Sequence, residues 1–162
     1  MKTIKLTQNQ STLVDNKWFK KLNRNNWYYS KHKTWNTGYA IGQINKTKVK
    51  MHRYIMSLEG FDIKNKTIDH INGDGLDNRM INLRIATKQQ NSHNCQIPKN
   101  NKSGYKGVIW EKQSNKWKAY IHLNNKMINL GRFDNKIDAA NTYNNAAIKY
   151  FGEFARLNVI QQ

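Results

Sequence analysis

The last sixty residues are patterned for one small architecture. Tyr105–Trp110, Lys116–His122 and Lys126–Phe133 read as three strands separated by polar turns. In the middle run Trp117, Ala119 and Ile121 fall on one face, and Lys118, Tyr120 and His122 on the other, because successive side chains of a strand point to opposite sides. A helix follows over Lys136–Tyr150. Asn135 is its expected cap with Asp138 three residues on, and Ile137, Ala140, Tyr143, Ala147 and Tyr150 form one apolar stripe. A single helix laid on a three-stranded sheet buries one face and leaves the other free.

Charge suggests what that face meets. The chain has 162 residues, enough for one domain or two small ones, with 28 Lys and Arg against 10 Asp and Glu, a net +18. Such an excess favours a polyanion, which releases counterions when its phosphates are neutralised. Five tryptophans, eight tyrosines and a single proline exclude a disordered basic tail. The charge is uneven: residues 1–58 hold twelve bases and one acid, 59–98 five of each, and 99–162 eleven bases and four acids. A neutral centre between cationic flanks suits a cation site between surfaces that grip DNA. Cys95 is alone, which excludes a disulfide framework and a four-cysteine zinc site. No apolar run has membrane-spanning length and Met1-Lys2-Thr3-Ile4-Lys5 lacks a signal core, so a cytoplasmic location without membrane contact is expected. The abundance of Asn is given no mechanistic weight.

Toward the N-terminus, Thr3–Leu6 and Ser11–Val14 suggest a hairpin. Asp15 is placed to cap a short helix carrying Trp18, Phe19 and Leu22. Trp27–Ser30 and Gly38–Ile44 read as further strands joined by a basic loop, Lys31–Thr37. From His52 to Leu58 the residues Tyr54, Ile55 and Leu58 recur at helical spacing. Cys95–Ser103, with Pro98 and the run Lys99-Asn100-Asn101-Lys102, is the expected linker.

The central block carries the chemistry. A strand near Lys66–His70, a loop rich in Asn, Gly and Asp reaching Arg79, and a helix near Lys88–Asn94 hold Asp69 and His70 side by side. Asn82 lies twelve residues beyond His70, and Asn91 nine beyond that. Neighbours on a strand point apart unless the strand ends there, and Ile71-Asn72-Gly73 follows at once. An imidazole with a pKa near ~6.5 is substantially neutral at about pH 7 and can take a proton from water. Asp69 is a hard anionic ligand suited to Mg²⁺, with Mn²⁺ as the other candidate, and an Asn91 carbonyl oxygen can complete the set. A cation held there polarises a phosphate and stabilises a leaving oxyanion. His93 lies two helical steps from Asn91, about 200° around, so the two cannot share a metal from an unbroken helix. A zinc set of Asp69, His70 and His93 is the alternative, disfavoured by the shortage of soft ligands. Leu83 is expected to pack, Arg84 to brace the site or touch phosphate, and His52 to be buried or to join the site.

Met51-His52-Arg53, Ile68-Asp69-His70-Ile71-Asn72-Gly73, Asp77-Asn78-Arg79 and Asn82-Leu83-Arg84-Ile85-Ala86-Thr87 resemble the HNH (ββα-metal) nucleases, and more closely the HNH homing endonucleases of bacteriophages. The resemblance covers roughly residues 1–98. It implies His70 as general base, Asp69 and Asn91 as metal ligands, and Asn82 as the residue orienting the loop over the histidine. The third motif position holds Asn91 where the family name would place His, and the distance from His70 favours Asn91 over His93.

Ser103-Gly104-Tyr105-Lys106-Gly107-Val108, Lys116-Trp117-Lys118-Ala119, Leu130-Gly131-Arg132-Phe133 and Asp138-Ala139-Ala140, with Ala146-Ala147 and Phe151-Gly152-Glu153, resemble the Apetala-two/ethylene-response-factor DNA-binding domain. The resemblance implies a sheet that enters the major groove with the helix behind it. Lys106, Lys118, Tyr120, His122 and Asn129 are expected on the face away from the helix, and Lys112, Lys126 and Arg132 as further phosphate contacts. Where that family uses Arg or Trp, this chain holds Ile109, Glu111, Met127 and Asn129, so no target sequence carries over.

The expectation is an α+β protein: a nuclease domain over 1–98, a linker over 99–103, and over 104–158 a three-stranded antiparallel sheet packed on one helix. The expected activity is metal-dependent cleavage of double-stranded DNA by a monomer that nicks or a homodimer that cuts both strands. The alternative is a non-catalytic DNA-binding regulator on a relic nuclease fold.

Overall fold

The computed structural model describes residues 1–33, 37–98 and 100–160. The middle of the expected Lys31–Thr37 loop and Lys99 of the expected linker lie outside these. The chain divides into two compact units, residues 1–92 and 93–162, so the segment expected as a linker belongs to the second. Both are mixed α/β structures built on small antiparallel sheets.

In the first unit, β1 (Lys2–Lys5) and β2 (Ser11–Val14) form the hairpin and α1 (Asn16–Leu22) follows. A three-stranded sheet then runs β3 (Trp27–Ser30), β4 (Tyr39–Ile44) and β5 (Thr47–Lys50), leading into α2 (Met51–Leu58). The last piece is β6 (Thr67–His70) paired antiparallel with β7 (Leu83–Ala86), followed by α3 (Lys88–His93). Strands β5 and β7, four residues each, are too short for their alternation to stand out in the sequence. Ile4, Val14, Leu22, Trp27, Ala40, Met51, Ile55, Met56, Ile68 and Leu83 make one core, with Val49 packed against it, so β1 to β5, α1 and α2 share an apolar centre with β6 and β7.

One local expectation is corrected. Asp15 occupies the cap position of α1, but its carboxylate makes no cap bond and instead accepts from the Met80 backbone N–H at 2.8 Å. Helix α2 spans the segment read as helical; it buries Met51, His52, Ile55 and Met56, and Tyr54 packs half-buried against the same core. Arg53 leaves that face to donate to the backbone carbonyls of Ile63 and Lys66, both at 2.8 Å, which fixes the entry into β6.

The second unit is the sheet β8 (Val108–Glu111), β9 (Lys116–Leu123) and β10 (Lys126–Phe133), in order β10-β9-β8, with α4 (Lys136–Phe151) against one face. Asn135 caps α4 by accepting from the Ile137 N–H at 2.8 Å. The apolar stripe ends on Phe151 rather than Tyr150: Tyr150 is exposed and Phe151 packs with Ile121, Tyr143 and Ala147. β8 starts three residues later than expected, because both backbone groups of Lys106 bond the Asn158 side chain, at 2.6 and 3.1 Å. Gly107 then turns the chain at φ +72°, and a Cβ there would lie 2.0 Å from the Tyr143 ring. The asparagines have a use the sequence did not disclose: Asn45, Asn124 and Asn125 take positive φ in the hairpin turns β4–β5 and β9–β10. Among the described residues no helix is long and apolar enough to cross a membrane.

Candidate functional site

Strand β6 ends on His70, so the two neighbours enter different surroundings. Asp69 is 4% exposed and sits opposite Arg84 in the β6–β7 register. Arg84 Nε and Nη2 both donate to Asp69 Oδ2, at 2.8 and 2.7 Å. Arg84 was expected to brace the site or contact DNA. With its side chain 11% exposed and its guanidinium on Asp69, the brace is what its geometry provides.

His70 is 5% exposed and lies among rings. The His52 ring stands edge-on to it at 5.0 Å, and Tyr39 lies 5.9 Å from His70 and 5.5 Å from His52. His70 Nε2 lies 3.3 Å from Asn78 Oδ1. The Asn78 amide is oriented from its other end, where Nδ2 donates to Thr12 Oγ1 at 2.7 Å. With the oxygen turned to the ring, Nε2 carries the proton and Nδ1 is the basic nitrogen. Burial pushes the His70 pKa below the ordinary imidazole value, against the Asn78 hydrogen bond and the charges of Asp69, Asp74 and Asp77. Burial, then His70, Lys50 and Arg53, hold His52 well below that value too. His70 is therefore a neutral base near neutral pH.

The loop between the strands is tied at every turn. Asn82 Oδ1 accepts from the Asn72 N–H at 2.9 Å, and Asn82 Nδ2 donates to the Asp77 carbonyl at 2.8 Å. Asp77 accepts from Arg79 Nε and Nη2, at 2.7 and 2.6 Å, and from Asn72 Nδ2 at 3.0 Å. Arg79 holds the Asp77 carboxyl below the usual range. Asn78, Thr12 and Tyr39 were not singled out from sequence as site residues. Asp77-Asn78-Arg79 carries part of the family resemblance in the sequence, and it is the 1% exposure of Asn78 with its bonds to His70 and Thr12 that reveals the inward role of that side chain.

Asn91 lies half-buried on α3, the helix that directly follows β7. Asp69 and Asn91 offer hard oxygen donors, the chemistry Mg²⁺ or Mn²⁺ takes. Among the described residues no three His, Cys, Asp or Glu side chains gather to hold a metal. His93 instead stacks on Phe151, with ring centroids 3.7 Å apart.

In the second unit the outer sheet face carries Lys118, Tyr120 and His122 from β9 and Asn129 and Arg132 from β10, by register. Tyr120 and His122 meet edge-to-face at 5.4 Å, and Lys112 and Lys126 are exposed near the strand ends. Lys106 is corrected: its Nζ donates to the carbonyls of His93 and Cys95 at 2.6 and 2.8 Å, and burial lowers its pKa to about 8. Lys118 and Arg132 both meet Glu111, and hydrogen bonding from Arg132 pulls the Glu111 carboxyl down to about 2. Trp117 packs toward the core, as the alternation implied.

A strand–loop–strand–helix piece carrying a neutral histidine beside a buried carboxylate defines the class. The chain belongs to the HNH endonuclease family, whose model matches residues 49–93, from β5 through α3. It is 35% identical over 136 residues to an uncharacterized HNH endonuclease of Acanthamoeba polyphaga mimivirus, covering 83% of this chain and 67% of that one. Protein 3.8 of Escherichia phage T7 is 40% identical over 63 residues, 39% of this chain and 52% of its own length. An AP2-like ethylene-responsive transcription factor of Arabidopsis thaliana is 33% identical over 63 residues, 39% of this chain but 13% of that protein. The chain thus spans about two thirds of the mimivirus relative and about half of the phage protein. No solved structure matches it significantly.

Proposed function

We propose that the chain is a divalent-metal-dependent DNA endonuclease of the homing type, with His70 as general base. The observation that carries this reading is the His70–Asn78–Thr12 chain, which leaves a neutral imidazole with Nδ1 as its basic nitrogen. That nitrogen takes a proton from water as the water oxygen forms a bond to phosphorus and the phosphorus–oxygen bond to the leaving sugar breaks. Such a base contributes typically ~10²–10⁴-fold to rate. Asp69 and Asn91 would hold the cation, which when bound supplies charge stabilisation at the phosphate and the leaving oxygen. Arg84 keeps the Asp69 carboxylate in place, and Asn82 ties the loop beside His70. The second unit would grip double-stranded DNA with its outer sheet face, a reading supported by the basic composition and the AP2-like relative.

Supercoiled plasmid incubated with Mg²⁺ or Mn²⁺, with and without chelator, tests the reading. Cleavage that needs the cation and disappears in His70→Ala, with duplex affinity retained, is the expected result. His70→Ala cutting normally overturns the assigned base. Duplex binding without cleavage in either cation leaves the non-catalytic regulator.

A further inference from the structure

Arg132 is the one arginine in β8, β9 and β10. It sits on β10 opposite Lys118 of the central strand, and Lys118 sits opposite Ile109 of β8. Glu111 lies two residues along β8 on the same outer face. Arg132 Nε donates to Glu111 Oε2, and Nη2 donates to Oε1 at 3.1 Å. The pair therefore bridges the two edge strands, and spans about 10 Å at two strand spacings. A guanidinium drawn across the sheet in this way lies along the surface. Reading guanine requires the same fork to project into the groove toward O6 and N7.

Glu111 gathers more than Arg132. Lys118 Nζ stands 3.6 Å from Oε1, and Ser114 Oγ donates to Oε2 at 2.7 Å, which fixes the carboxylate from the turn side. Lys116, on the same row, meets Asp134 at 3.3 Å. Three cations at this end of the face are thus matched by two acids. Partly exposed ion pairs add little to stability, so fold maintenance is a weak reason for the arrangement. Its larger effect is on what the face presents: Ile109 and Met127 are its exposed large apolar side chains, and apolar groups meet the thymine methyl rather than guanine.

Resting on the reading of the second unit as a duplex-binding module, we infer that Glu111 is a specificity-determining residue that latches Arg132 and Lys118 to the sheet and withholds them from guanine edges and phosphates. The test is fluorescence anisotropy of the full chain on labelled G·C-rich and A·T-rich duplexes, in chelator, over a salt series. Glu111→Gln keeps the side-chain shape and removes the charge. It should tighten binding about tenfold, most on G·C-rich duplex, and steepen the salt dependence by one to about two freed phosphate contacts. Arg132→Gln should change little in the native chain and abolish most of the gain in the Glu111→Gln chain. Unchanged affinity and slope in Glu111→Gln, a gain confined to A·T-rich duplex, or an equal Arg132→Gln loss in both backgrounds overturns the latch while the duplex reading stands. Failure of every variant to bind duplex overturns that reading and the latch together.

Discussion

Asn78 Oδ1 faces His70 Nε2 at 3.3 Å while the nitrogen of the same amide is anchored on Thr12 Oγ1 at 2.7 Å. A hydroxyl on the N-terminal hairpin therefore sets which nitrogen of the proposed base is protonated. Replacing Asn78 by Leu should slow single-turnover cleavage about 10–100-fold, as for other residues that orient a reacting group. It should also lower stability by ~1–3 kcal/mol, since a buried donor loses its partner. Thr12→Val should act in the same direction and less strongly. A native cleavage rate in Asn78→Leu would show that the amide does not govern the tautomer.

Arg84 and Asp69 are buried together, so breaking the pair from one side strands a charge. Arg84→Met should cost about 3–5 kcal/mol in urea unfolding. The double change Arg84→Met with Asp69→Leu should recover most of that loss and still show no cation-dependent cleavage. If the double variant is no more stable than the single one, the pair is not the source of the loss.

His52 is buried with its pKa held well below the imidazole range. The folded state thus refuses a proton that the unfolded chain accepts. Its contribution to stability is full above about pH 6.5 and is lost as pH falls from there through the folded-state pKa. Thermal midpoints should therefore decline from about pH 7 toward about pH 5, and His52→Phe should flatten the decline. An unchanged pH dependence in that variant assigns the effect elsewhere.

Lys106 holds two backbone carbonyls, so its removal should register as stability rather than as DNA affinity. Lys106→Met should destabilise the second unit by about 1.5–3 kcal/mol, the range for hydrogen bonds from a charged donor. The affinity and salt slope for duplex should stay near native. A fall in the slope by about one would return Lys106 to the set of phosphate contacts.

Much of this was legible where local pattern and tertiary role coincide. The alternation along β9 gave its faces, Asn135 announced the start of α4, and the end of β6 at His70 followed from the glycine and asparagine beyond it. Other residues answer to partners far along the chain, which no window of sequence displays. Asp15 looks like a helix cap but serves Met80, 65 residues away. Asn78 looks like a turn residue but meets Thr12, 66 residues away. Lys106 fits an alternating strand until Asn158, 52 residues on, takes its backbone. Glu111 was noted only as a departure from the plant pattern, because an ion pair across two strand spacings needs the register to be known.

The β1–β2 hairpin is sewn to the loop beyond His70: the Leu13 N–H donates to the Leu76 carbonyl and the Asn78 N–H to the Leu13 carbonyl, each at 2.9 Å, while the Thr12 hydroxyl reaches Leu76. The segment matched by the family model begins only at residue 49. A minimal enzyme trimmed to that segment would keep each named motif residue and lose the scaffold that aims them. A fragment meant to test the proposed cleavage should therefore begin at β1, ahead of the matched segment.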